Sequence, residues 1–277
     1  MKILVTGANG QLGKDLIKEL ESRGHSALGI DREDGDIADL ETVLRLVEER
    51  KPDAVIHCAA YTAVDRAESD REACFAANVT GSRNMALAAH KAGIPILAIS
   101  TDYVFDGEGE CFFEVDDPTG PQNYYGETKL QGENAIREVT DRYFIVRTSW
   151  VFGEEGNNFV KTMHRLGLEK DSLQVVCEEV GSPTYTKDLC RLLADMIVTE
   201  RYGTYHATNE GTCSRYEFAV AILKRFGVSC PITAVPSSAF PTPAKRPHNS
   251  RLSKKSLDEN GFQRLPSWED ALARFEN

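Results

Sequence analysis

The chain has 277 residues and a mass of 30.7 kDa, enough for one large domain or one domain with a smaller lobe. Its 32 Lys+Arg against 43 Asp+Glu give a net charge of −11 and a pI near 5.1, an acidic surface that repels phosphate backbones and excludes a general nucleic-acid binder. A mean hydropathy of −0.36, without any apolar run long enough to span a bilayer, excludes a helical membrane protein.

Ile3-Leu4-Val5 reads as a buried strand, and residues 11–23 carry Leu12, Leu16, Ile17 and Leu20 at helical spacing until Gly24 stops them. A second strand at 27–30 and a helix over 39–50 follow, closed by Lys51-Pro52. Ala54-Val55-Ile56 is a third strand, 68–92 one long alanine-rich helical region, and 94–99 a fourth strand. Further on, the pattern predicts strands at 143–148, 173–176 and 204–207, with helices at 157–169, 186–199 and 215–226. Strands that alternate with helices this long build parallel sheets, because each parallel connection needs a crossover. The expected fold class is α/β, a Rossmann-type doubly wound parallel sheet. Residues 1–150 with parts of 170–210 form its dinucleotide-binding domain; the rest of 151–277, discontinuous and Pro/Ser-rich over 231–250, is a smaller C-terminal substrate-binding lobe.

Gly7-Ala8-Asn9-Gly10-Gln11-Leu12-Gly13 follows the first strand and opens the first helix. Glycines there permit a tight turn and let a pyrophosphate approach free N–H groups at a helix N-terminus. Asp31 ends the second strand, where a carboxylate can hydrogen-bond an adenosine ribose. Its neighbour Arg32 could instead meet a 2′-phosphate, so the pair leaves NADH and NADPH both open. Asp36-Ile37 stands where it could frame an adenine, or it is a solvated loop.

Tyr125 and Lys129 are spaced to share one helix face, and an ammonium near a phenol favours the phenolate. Thr101 lies where the fourth strand ends, at the sheet edge where ligands bind in open α/β folds. Together they can serve hydride transfer to a carbonyl; without a ligand they are an exposed helix pair and a helix cap.

The chain resembles the extended short-chain dehydrogenases/reductases, and among them the dTDP-4-dehydrorhamnose reductases. The glycine loop and the Tyr125–Lys129 pair carry the first likeness. Ser100-Thr101-Asp102-Tyr103-Val104-Phe105, Arg147-Thr148-Ser149-Trp150, Gly156-Asn157-Asn158-Phe159 and Arg246-Pro247-His248-Asn249-Ser250 carry the second. The resemblance implies that Gly7, Gly10, Gln11, Leu12 and Gly13 hold the cofactor pyrophosphate. Asp31, Arg32, Asp36 and Ile37 would take its adenosine half, and Ala60, Tyr61 and Thr62 its nicotinamide side. It further implies that Tyr125 protonates a 4-keto oxygen, that Lys129 holds the nicotinamide ribose and lowers the Tyr125 pKa, and that Thr101 polarises the carbonyl. Asp102, Trp150, Asn158 and Arg246 are then on the sugar side; Trp150 also reads as a core residue and Arg246 as a solvated loop residue.

Some members hold magnesium through acidic residues at a dimer interface, but the matching places here are Asp15 and Lys187-Asp188, and a lysine opposes a cation there. No required metal and a monomer or weak homodimer are therefore expected. The implied substrate is a nucleotide sugar, dTDP-4-dehydrorhamnose, reduced with NADPH or NADH. Two alternatives are a cofactor-binding regulatory subunit of the methionine adenosyltransferase β type and a related ketosugar reductase or epimerase. The six histidines show no metal-ligand spacing, and the seven cysteines include no Cys-x-x-Cys pair. With no export signal at Met1-Lys2-Ile3, these features predict a cytoplasmic protein with reduced thiols and neither membrane nor nucleic-acid partners.

Overall fold

The computed structural model describes residues 1–276. In chain order the first half contains β1 (Lys2–Thr6), α1 (Gln11–Ser22), β2 (Ser26–Ile30), α2 (Leu40–Arg50), β3 (Ala54–His57), α3 (Val64–Ala67), α4 (Arg71–Phe75), α5 (Ser82–Ala92), β4 (Ile96–Thr101), α6 (Tyr124–Val139) and β5 (Tyr143–Thr148). The second half contains β6 (Val151–Phe152), α7 (Phe159–Glu169), β7 (Leu173–Val176), β8 (Val180–Gly181), β9 (Thr184–Tyr185), α8 (Thr186–Ile197), β10 (Gly203–His206), β11 (Cys213–Ser214), α9 (Arg215–Arg225), β12 (Ile232–Val235), β13 (Asn249–Ser250), α10 (Lys255–Glu259) and α11 (Trp268–Arg274).

Six parallel strands form the central sheet in the order β10-β5-β4-β3-β1-β2. Both faces are covered, which is why its strands are near-continuous apolar runs rather than alternating ones. Ile3 and Val5 of β1 pack with Leu16 and Leu20 of α1 and Leu189 and Leu193 of α8. Leu4, between them in sequence, faces the other way onto Val43 and Val47 of α2 and Met85 and Ala89 of α5. The chain leaves β1 toward β2 on one side and resumes with β3 on the other. That reversal opens a crevice at the carboxyl ends of the strands, where ligands bind in such sheets.

Three expectations change. The predicted long helix over 68–92 is interrupted by a π-helical segment, Ala76–Gly81, between α4 and α5. There Asn78 bonds the main chain of Tyr61 at both N–H (2.8 Å) and carbonyl (3.2 Å), and Thr128 at 3.0 Å. The fourth strand begins after Pro95 and continues to Thr101, which carries that hydroxyl to the sheet's edge. Of the two strands read within 170–210, β10 joins the central sheet, whereas β7 pairs with β12 in a separate small sheet. That small sheet stands with an aromatic cluster that includes Phe152, Tyr185, Phe218, Trp268 and Phe275.

Candidate active site

A cavity of about 1210 Å³ runs from the glycine loop, past the ends of β3, β4 and β5, to Trp150 and two arginines. At its first end Gly10 caps α1 without any side-chain hydrogen bond, leaving the helix N-terminus open to an anion. Gly7 has φ +66°, and a Cβ on it would lie 2.8 Å from the Ala59 nitrogen. A Cβ on Gly13 would lie 2.1 Å from the Gly7 carbonyl oxygen, so loop and helix close on each other only because residue 13 is glycine. This cradle fits a dinucleotide pyrophosphate. Gly13→Ala must push the loop away from α1; we expect NADPH binding, followed by its fluorescence, to weaken at least about tenfold. An unchanged Kd would count against this loop as the cofactor cradle.

Gln11, Leu12, Asp31, Arg32, Asp36 and Ile37 all line the cavity. The Asp31 carboxylate accepts the N–H groups of Asn9 and Arg32, both at 2.8 Å, which fixes it at the mouth. Asn84 donates to the carbonyls of Ile37 (3.0 Å) and Ala38 (2.9 Å), a support absent from the sequence reading. Ala60 and Thr62 line the cavity beyond the end of β3. Tyr61 does not: its hydroxyl donates to Asp70 at 3.0 Å, and its main chain is pinned by Asn78.

Asn123 caps α6 by accepting the Gly126 N–H, and the next residues bring Tyr125 and Lys129 to the cavity on one face of that helix. The Lys129 ammonium donates to the Ile99 carbonyl at 2.7 Å, and burial lowers its pKa to about 8. Tyr125 departs from the expectation that the lysine depresses its pKa. Burial and then the nearby Asp102 carboxylate raise it well above a free tyrosine, against a hydrogen bond to Thr101 that favours the phenolate. A phenol held protonated is the form that can give up a proton.

Thr101 donates to Asp102 Oδ1 at 3.0 Å and accepts the Tyr103 N–H at 3.2 Å. Asp102 is 4% exposed, also accepts from Ser250 Oγ, and is raised by burial to about 6. Tyr103 packs edge-on to Tyr125 with ring centroids 5.6 Å apart.

Trp150 holds φ +51°, a strained value for a bulky side chain, and it both lines the cavity and packs against the aromatic cluster of the small lobe. Arg215 stacks on that ring at 3.7 Å, with Glu179 beside its Nε at 3.4 Å. Arg246 reaches the cavity too, bonded to Asp65 at 2.5 Å and to the Tyr103 hydroxyl at 3.3 Å. Sequence reasoning missed Arg215, which opens α9 in a stretch without a motif. Asn158, by contrast, does not line the cavity. It caps α7 by accepting the Lys161 N–H and donates to Gln11 at 2.9 Å and to the Gly153 carbonyl, so it braces the glycine loop.

The acidic places matched to magnesium in some relatives do not fit a cation here. Asp188 is held by Arg274 at 2.6 Å and Asn209 at 2.8 Å, Asp15 accepts from Thr186, and Lys187 pairs with Glu154 at 2.9 Å.

The model of the RmlD substrate binding domain matches residues 1–277. The chain is 38% identical to the dTDP-4-dehydrorhamnose reductase of Escherichia coli K12, covering 100% of this chain and 97% of that one. It is 39% identical to the spore coat polysaccharide biosynthesis protein SpsK of Bacillus subtilis, over 99% and 96% of the two chains. The crystal structure of dTDP-4-dehydrorhamnose reductase from Bacillus anthracis in complex with NADP superposes with a TM-score of 0.97 at 42% identity, covering 99% of this chain and 98% of that one. With a cofactor cradle, a Thr-Tyr-Lys constellation and a full-length match in agreement, the chain belongs to the RmlD substrate binding domain family, among the dTDP-4-dehydrorhamnose reductases.

Proposed function

We propose that this chain is an NAD(P)H-dependent oxidoreductase that reduces the C4 keto group of dTDP-4-dehydrorhamnose to give dTDP-L-rhamnose, the final step in making that nucleotide sugar. The observation that carries the reading is the meeting of Thr101, Tyr125 and Lys129 in one cavity that reaches from the α1 N-terminus to Trp150, Arg215 and Arg246. The bound nicotinamide supplies hydride. Tyr125 gives its phenolic proton to the keto oxygen, and the Thr101 hydroxyl hydrogen-bonds the same oxygen as charge builds there. Lys129 positions the nicotinamide ribose. Trp150 offers its face to the deoxysugar, and Arg246 and Arg215 meet the diphosphate, for which a planar guanidinium is suited. Gly7, Gly10 and Gly13 with Gln11 and Leu12 cradle the pyrophosphate, and Asp31, Arg32, Asp36 and Ile37 take the adenosine half.

A regulatory subunit that only binds cofactor has no need of a buried acid, and nothing in the cavity favours that alternative. Residues 1–150 with α8 and β10 make the dinucleotide-binding unit in this reading, and the remaining elements the sugar-binding lobe. We expect a cytoplasmic monomer or weak homodimer; among the described residues no helix is long and apolar enough to cross a membrane.

The test follows NADPH and NADH oxidation while the ketosugar is made in place from dTDP-glucose by a dehydratase and an epimerase. Turnover that requires the epimerase, and that is unchanged in EDTA, is the expected result. Cofactor binding without turnover of the ketosugar would overturn the reading, and loss of rate in EDTA would overturn the metal-free part of it.

A further inference from the structure

The two guanidiniums at the Trp150 end of the cavity each have a carboxylate beside them. Arg246 Nη2 donates to Asp65 Oδ2 at 2.5 Å, and Arg215 Nε donates to Glu179 Oε2 at 3.4 Å. Asp65 lies on α3, and Arg246 lies between β12 and β13, 181 positions later in the chain. Arg246 lines the cavity, and Asp65 backs it from outside that lining. The main chain next to Arg246 is pinned as well. Asp65 Oδ1 accepts the Ala244 N–H at 3.4 Å, and Asn123, the cap of α6, donates to the Lys245 carbonyl at 2.9 Å. Arg246 Nη1 reaches the Tyr103 hydroxyl at 3.3 Å. A guanidinium has five N–H groups, and the bonds to Asp65 and Tyr103 among the described residues leave the others for a ligand. The Asp65–Arg246 pair is open to solvent, 40% and 28% exposed at its side chains, so a doubly charged ligand can compete with it.

An arginine that met the diphosphate without a counterion would hold it tightly, but to little purpose. Reduction changes only C4 of the sugar, so substrate and product carry the same diphosphate. Affinity gained there is equal in the ground and transition states; it lowers KM without raising kcat and slows the departure of product. A carboxylate fixed to the guanidinium cancels part of its field and keeps the direction of its hydrogen bonds.

We propose that Asp65 is a positioning residue of this site that aims Arg246 and moderates its grip on the diphosphate, so that the nucleotide sugar is held without its product being trapped. The proposal rests on the reading of Arg246 as a diphosphate partner given above. Asp65 touches neither the reacting carbon nor the nicotinamide in this account; it acts through the arginine.

The experiment is calorimetric binding of dTDP to the NADP-saturated enzyme, at about 0.05 M and about 0.5 M NaCl, where surface charges are screened weakly and strongly. The proteins are the wild type, Asp65→Asn, Asp65→Glu, Arg246→Ala and the Asp65→Asn/Arg246→Ala double variant. Asp65→Asn keeps an oxygen that can accept from Arg246 and removes only the charge, at a half-exposed position on a short helix. A merely structural Asp65 would loosen binding when substituted. Instead, Asp65→Asn is expected to tighten the dTDP Kd about fivefold at low salt, the size of one partly exposed ion pair. The ketosugar KM falls with it, and kcat does not rise. Asp65→Glu retains the charge and stays within about twofold of the wild type. The gain shrinks at high salt and disappears in the Arg246→Ala background. The proposal is overturned if Asp65→Asn leaves the Kd unchanged or weakens it, if the gain survives high salt undiminished, or if it is as large in the Arg246→Ala background. If the wild type does not bind dTDP, or Arg246→Ala binds it equally well, the diphosphate reading of Arg246 has failed and takes the proposal with it. Binding that depends on Arg246 and not on the charge of Asp65 sinks only the role of Asp65.

Discussion

Replacing Tyr125 with phenylalanine is expected to lower kcat about 10³-fold, within the range that one positioned proton donor contributes, and to leave NADPH binding within about twofold. The substitution keeps the ring that packs edge-on against Tyr103 at 5.6 Å and removes only the hydroxyl that faces Thr101. A thousandfold loss corresponds to about 4 kcal/mol of transition-state stabilisation, more than one neutral hydrogen bond supplies, so it identifies proton transfer rather than packing. Lys129→Met should behave differently. In the proposed reading Lys129, which lines the cavity and donates to the Ile99 carbonyl, holds the nicotinamide ribose, so its loss should raise the NADPH Kd as well as lower kcat. Single-turnover stopped flow with the pre-formed cofactor complex separates the two. A Tyr125→Phe enzyme that keeps more than a tenth of the wild-type rate would remove the phenol from the acid role.

The parts of this site that the sequence exposes are those where the chemistry demands a fixed local pattern. A glycine loop between a strand and a helix can be read because the turn must be tight, and the contacts at Gly7 and Gly13 show how little space it leaves. Tyr125 and Lys129 can be read because one helix sets their spacing. Thr101 can be read because strand ends mark the binding edge. Arg215 could not be found that way: it reaches the cavity through the packing of the small lobe, where Trp150 and Glu179 come from segments far from it in sequence. Asn158 and Tyr61 fail for a different reason, local hydrogen bonds that compete for their side chains. The resemblance assigned both to the site, but the cap on α7 and the bond to Asp70 turn their side chains away from the cavity. The π-helical segment escapes a periodicity argument because its residues are as helix-like as their neighbours; its reason is the Asn78 bridge to Tyr61, a contact across 17 residues. The small sheet of β7 and β12 escapes for a similar reason, since alternation gives the order of strands and not their partners.

Arg147→Met is expected to cost about 3–5 kcal/mol of stability, the range measured when one partner of a buried ion pair is removed. Arg147 and Glu133 are 3% and 2% exposed at their side chains and meet in a two-point clasp, Nε to Oε1 at 2.9 Å and Nη2 to Oε2 at 2.8 Å. The same guanidinium donates to the Val115 carbonyl at 3.1 Å and lies 5.1 Å from the Phe105 ring centre. After the substitution Glu133 keeps Ser100 and the partly exposed Arg137, too little to offset burial of its charge. Burial pushes the Glu133 pKa up, but hydrogen bonds and charge from Arg147 outweigh it and hold it below the ordinary value. A depressed carboxyl contributes stability that is present above its unfolded pKa, roughly 4.3, and lost as pH falls through the folded one. The deficit of the variant should therefore be full at pH 7 and smaller at pH 4, because the orphaned Glu133, raised by burial once Arg147 is gone, takes a proton already above the ordinary carboxyl range. Urea denaturation at the two pH values measures this. Glu133→Leu combined with Arg147→Met should recover most of the loss, because it removes both buried charges together. If the single variant lost under about 1 kcal/mol, or if the double variant were worse than the single, the clasp would not be what holds this part of the sheet. The consequence would reach the chemistry, since Arg147 pairs in register with Ser100 and Thr148 with Thr101. The clasp between α6 and β5 thus fixes the strand end that aims Thr101 at Tyr125, and a variant that still folds should lose kcat before it loses NADPH.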